Sequence, residues 1–142
     1  MKRKSGILGL AVLLAFMLTG CVMEKTREDI IEKLEKEDII ESDWEYEYMI
    51  VNDASPIPDI ASYDYIYTCN NETYMVRIHS KDKEDKYPVY IAGNIEIEEY
   101  EWTDSDGKKS VARDVVHYEI IASYKLQYKQ FLWFKYLIIA EE

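Results

Sequence analysis

Apolar positions change their spacing several times along this chain, and each change predicts a different element. From Arg27 to Asp38 they recur at helical intervals: Ile30, Ile31 and Leu34 share one stripe, with Glu32, Lys33, Glu35 and Lys36 around it. Thr26 offers a capping hydroxyl, and Glu28 and Asp29 fall in the first turn, where carboxylates suit the helix dipole. Glu32 and Lys36 form an i,i+4 pair. From Trp44 the period becomes two. Trp44, Tyr46, Tyr48 and Ile50 alternate with Glu45, Glu47, Met49 and Val51, which predicts a strand. Asn52 to Asp59, with Pro56 and Pro58, reads as a loop.

Tyr63, Tyr65, Tyr67 and Cys69 predict the next strand, and Tyr74, Val76 and Ile78 its return. Asn70-Asn71 between them suits a tight hairpin turn, because Asn tolerates left-handed backbone. After a charged turn at Lys81–Lys86, Val89, Ile91, Ile95 and Ile97 keep one parity through Gly93. This predicts one long strand to Trp102, with a bulge admitted at Gly93. Asp104-Ser105-Asp106-Gly107 is a hairpin loop. Val111 to Tyr128 fits both periods, but its β-branched and aromatic content favours a strand. Phe131 to Ala140 is apolar on both parities, interrupted only by Lys135, and predicts an interior strand.

One short amphipathic helix followed by five or six antiparallel strands implies an α+β domain, with the helix stripe buried on the sheet. The order is similar to cystatin-like folds, a likeness of arrangement that carries no function.

The first residues follow another logic. Lys2, Arg3 and Lys4 precede an uncharged apolar run from Ile7 to Leu18, the parts of an export signal. Leu18-Thr19-Gly20-Cys21 then resembles the lipobox of bacterial lipoproteins: an aliphatic residue, two small ones, and cysteine. The resemblance covers only these first 21 residues. It implies acylation of the Cys21 thiol, cleavage between Gly20 and Cys21, and anchorage by acyl chains such as palmitate. One chain binds a membrane marginally, so a cysteine carrying at least two gives stable anchoring. The alternative is an uncleaved helix, since the 19 uncharged residues from Ser5 to Met23 would span about 28 Å. Both place the remainder outside the cytoplasm. Val22 follows the cysteine, which in a host with two membranes points to the outer one.

The expected organisation is a signal peptide over 1–20, a lipidated tether over 21–25 and one domain over 26–142. Loss of Lys2, Arg3 and Lys4 would take the formal net charge from −11 to −14. That charge disfavours nucleic acid and anionic headgroups, which leaves the lipid on Cys21 as the membrane contact. With Cys21 acylated, Cys69 has no cysteine partner, so no internal disulfide is expected.

No motif of catalysis stands out: there is no Gly-x-Ser-x-Gly, His-Glu-x-x-His or glycine-rich phosphate loop. Asp104-x-Asp106-Gly107 begins like a calcium loop but lacks the later ligands. His79 and His117 give no metal spacing, and no cofactor is implied. Tyrosine is the unusual component, at 13 residues. Tyr63, Tyr65 and Tyr67 on one face are either cross-strand packing or a contact surface. Phe131, Trp133, Leu137 and Ile139 are the second candidate surface, should they be exposed together. The sequence therefore implies a non-enzymatic, lipid-anchored binding or accessory protein that contacts a protein at the cell surface. The alternatives are a cell-wall glycan binder or glycan-modifying enzyme, using the tyrosines with Asp64 or Glu72, and an immunity or inhibitor protein for a basic partner.

Overall fold

The computed structural model describes residues 24–53 and 61–140. The export segment with Cys21, and most of the proline loop, lie outside the described residues. The chain divides into two units, one ending at Ile40 and the other beginning at Glu41.

In the first unit, helix α1 covers residues 24–36 and runs through Thr26 rather than starting there. Ile30 and Leu34 are fully buried, as the stripe requires. Lys25–Asp29 and Lys33–Glu37 form i,i+4 ion pairs at 2.9 and 3.0 Å. The helix ends in a Schellman-type turn: the Ile39 N–H donates to the Leu34 carbonyl at 2.9 Å, and the Asp38 N–H to Glu35 at 3.1 Å. Asp38 takes the left-handed position of that turn, with φ 57.

The second unit is a meander. Strands β1 (Glu45–Asp53), β2 (Ala61–Cys69), β3 (Glu72–His79), β4 (Tyr87–Thr103), β5 (Lys109–Phe131) and β6 (Phe134–Ala140) pair antiparallel in chain order. Asn70 and Asn71, at φ 50 and 66, make the tight β2–β3 turn. Val111 to Tyr128 lies wholly within β5.

The register between β4 and β5 shifts three times within a few residues. Asn94 and Ile95 stand against the single residue Tyr118, while Val116 and Ile121 are extra on β5. Each bulge adds local twist and bends its strand. The expected bulge thus falls at Gly93–Glu96, beside two more on the partner strand. At Gly93 a Cβ would lie 3.0 Å from Ile121 Cδ1, so a larger residue there would require that exposed side chain to give way.

The bends curl the sheet. Ile50, Ile66, Met75 and Ala92 form a core on its concave face, and Ile95, Ile97 and Val115 fold over it with Tyr48. The Arg113 guanidinium sits 4.4 Å from the Tyr48 ring, joining β5 to the edge strand β1 although the two share no ladder. On the other face Tyr67, Val76, Ile78, Val89, Ile91 and Leu126 are buried.

This architecture corrects the two-layer, cystatin-like α+β reading. Strand takes 66% of the described residues and helix 12%, and the sheet is a curled antiparallel half-barrel. That reading expected the apolar stripe of the helix to lie on a sheet, and the periodicity behind it carried no sign of how far the sheet curls, which follows from the bends in β4 and β5, at 17 and 23 residues.

The expected interior strand from Phe131 to Ala140 is also corrected. The segment is divided by a two-residue turn, Leu132-Trp133, because Phe131 on β5 pairs with Phe134 on β6. β6 is an edge strand. None of the usual turn residues marks this turn, so the apolar run hid it.

Candidate functional site: two hairpin arms and a cleft

Pairing between β3 and β4 stops at Ala92, whereas β4 and β5 continue to Thr103 and Lys109. The result is an overhanging ribbon over residues 94–119. It carries eight carboxylates against Lys108, Lys109 and Arg113. Ile97 and Val115 face inward as a cross-strand pair, and Glu96 and Glu98 alternate outward. Tyr100, Trp102 and Val116 are exposed, as are Ile120 and Ile121 at the ribbon's root, with Ile121 at 62%. The Tyr100 hydroxyl donates to Glu98 at 2.5 Å, and that bond holds its proton on, raising its pKa. The ribbon tip is a closed polar turn. Asp104 Oδ1 accepts from the Asp106 and Lys108 N–H groups, both at 2.9 Å, and Gly107 takes φ 81. The calcium-like motif is therefore a turn whose carboxylate is used by backbone.

A second arm leaves the opposite end of the sheet. Beyond Leu126, which pairs with Tyr87, β5 has only β6 beside it. At its end Phe131, Leu132, Trp133 and Phe134 are all exposed, Leu132 at 64% and Trp133 at 84%. The Phe131 and Phe134 rings meet edge-on at 5.9 Å. Of the four residues expected to act together, Phe131 and Trp133 are exposed, while Leu137 and Ile139 are half-buried further along β6. Reading the segment as one strand missed Leu132 and Phe134.

A cleft of about 460 Å³ opens where the ribbon leaves the sheet, lined by Asn71, Glu72, Tyr74, Gly93, Asn94 and Glu119 among others. Its two carboxylates are engaged: Tyr74 donates to Glu72 at 2.7 Å, and Asn94 donates to Glu119. The bond to Glu72 keeps Tyr74 protonated above its ordinary range.

The tyrosine face is mainly packing. Tyr67 is buried, Tyr63 and Tyr65 are half-buried, and Tyr46 meets Tyr65 and Tyr67 at 6.0 and 5.7 Å. Trp44 stacks on Tyr74 at 4.4 Å. Asp64 is fully buried and structural. Its cross-strand neighbour Arg77 donates to it from Nε at 2.7 Å and Nη2 at 2.9 Å, and Asn52 donates at 2.6 Å. Arg77 also reaches the Tyr118 hydroxyl at 3.1 Å. His79 packs edge-on against Tyr90, and burial, then the nearby Arg77 charge, lowers its pKa. Cys69 donates to Asp43 at 3.4 Å; desolvation and that bond push its thiol up, away from reactive thiolate. Among the described residues no cluster of His, Cys, Asp or Glu could hold a metal ion, and no helix is long and apolar enough to cross a membrane.

Comparison with protein-family models, with curated proteins and with solved structures finds no match for this chain.

Proposed function

We propose that this chain is a lipid-anchored, extracytoplasmic accessory protein, held by acyl chains on Cys21, that binds a protein partner through the β4–β5 ribbon. One observation carries the reading: valine, tyrosine and tryptophan lie exposed on an otherwise acidic ribbon, and Ile121 at its root. Large apolar side chains on a carboxylate-rich arm suit a partner with an apolar centre and a basic rim. The half-barrel holds the ribbon's inner side and leaves its outer side for contact. The lipobox supports the address, and the acidic charge supports a basic partner.

The test is a Val116→Asp, Ile121→Asp double variant. In gently solubilised membranes the parent chain should migrate as a complex, and raised salt should weaken it. The variant should bind at least about a hundredfold more weakly, near 2.7 kcal/mol, with unchanged circular dichroism. A parent chain that migrates alone at every salt concentration would remove the reading.

The cleft favours a second reading, in which a cell-wall glycan lies along Tyr74 with Glu72 and Glu119 accepting from its hydroxyls. Glu72→Gln should then weaken retention on purified cell wall while leaving the ribbon complex intact.

A further inference from the structure

The β5–β6 arm ends in a way that water does not favour. Hairpin turns normally carry Asn, Gly or Asp, which satisfy the backbone and tolerate left-handed φ. Here the turn is Leu132-Trp133 between two phenylalanines, and Leu132 stands at φ 56. A branched side chain in that region is strained, and such strain concentrates at functional places. The four side chains form the convex end of an arm.

Charge is arranged around this end. From Ile120 to Ala140 the chain has Lys125, Lys129 and Lys135 and no carboxylate, within a protein of net charge −11. Lys125 reaches back to Asp82 at 3.4 Å. Lys129 pairs with Tyr136 and Lys135 with Gln130, so the two lysines sit on opposite faces of the hairpin. Lys129 lies two residues behind Phe131, a rise of about 7 Å. Interfacial segments bury their apolar side to about 5–10 Å while lysines rise to the headgroups and aromatics sit at the boundary.

We infer that the Phe131–Phe134 tip enters the surface of an anionic bilayer, with Lys129 and Lys135 meeting the lipid headgroups. A convex apolar end with a cation on each face suits a fluid planar layer, which needs no matching pocket. The acidic ribbon extends from the opposite end of the sheet, so the same anionic surface that attracts the tip repels the ribbon and orients the unit. The inference rests on the proposed lipid anchor in one respect: the anchor keeps a bilayer within reach.

The test uses the mature protein from bacterial membranes, reconstituted in phosphatidylcholine vesicles with roughly a third phosphatidylglycerol and brominated acyl chains. Bromine quenches tryptophan only in the acyl region. Trp133 emission, taken as parent minus Trp133→Phe, should be quenched, and Trp44 and Trp102 should not. Lys129→Gln and Lys135→Gln should each lower the ratio of inserted to withdrawn tip by roughly fivefold in anionic vesicles, and hardly at all in zwitterionic ones. Unquenched Trp133 on protein that floats with the vesicles would overturn the inference. So would Trp133 shielded from aqueous iodide without bromine quenching, which would mean a protein or a second copy covers the tip. Protein that does not float overturns it too. The mass of Cys21 scores the anchor separately, so the two failures are distinguishable.

Discussion

At the scale of single residues, the buried charge pair decides most. Asp64 has no solvent contact and takes three hydrogen bonds, two from Arg77 and one from Asn52. Breaking a buried pair strands the remaining charge, which costs more than the pair contributes. Asp64→Asn should therefore destabilise the fold by about 3 kcal/mol, seen as a fall in Tm of roughly 10 °C. Tyr118→Phe, which removes only the outer bond to Arg77, should cost less than about 1 kcal/mol. In the alternative glycan reading, the sequence set Asp64 or Glu72 beside the tyrosines. Alternation gives a strand's faces but not its neighbour's register, so the Asp64–Arg77 pairing was invisible.

Elements marked by their own chemistry were legible. The Asn70-Asn71 turn, the Asp104–Gly107 turn and the helical stripe through Ile30 and Leu34 each carry a local physical signal. Elements without such a signal were misread. The Leu132-Trp133 turn has no Gly, Asn, Asp or Pro, so Phe131 to Ala140 passed for one strand. The curl depends on three bulges, of which only Gly93 announces itself. The same turn yields a prediction. Leu132→Asn should relieve left-handed strain and raise stability by about 1 kcal/mol in denaturant unfolding, while weakening entry of the tip into vesicles. A destabilised variant would show that the leucine is favourable where it stands.

For the whole molecule, the two arms differ in charge and in placement. The basic aromatic tip leaves one end of the half-barrel and the acidic ribbon the other, with charge segregated between them. Composition showed the acidity but not its segregation, because sequence order alone did not place the arms at opposite ends. Of function, the sequence offers chiefly a proposed address, in the lipobox-like Leu18-Thr19-Gly20-Cys21. Cys21→Ala should leave an uncut precursor without lipid, read as intact mass. A variant that still yields the mature chain with lipid would refute the proposed processing.

We propose, above all, that the ribbon's outer side contacts a protein while the chain sits on its membrane. Photocrosslinking in intact cells measures this most directly, with a benzophenone side chain placed in turn at Val116, Ile121 and, as a distant exposed control, Val51. One discrete protein adduct is expected from Val116 and Ile121, lost in Cys21→Ala and absent from Val51. No adduct from the ribbon, or the same adducts from all three positions, would contradict it.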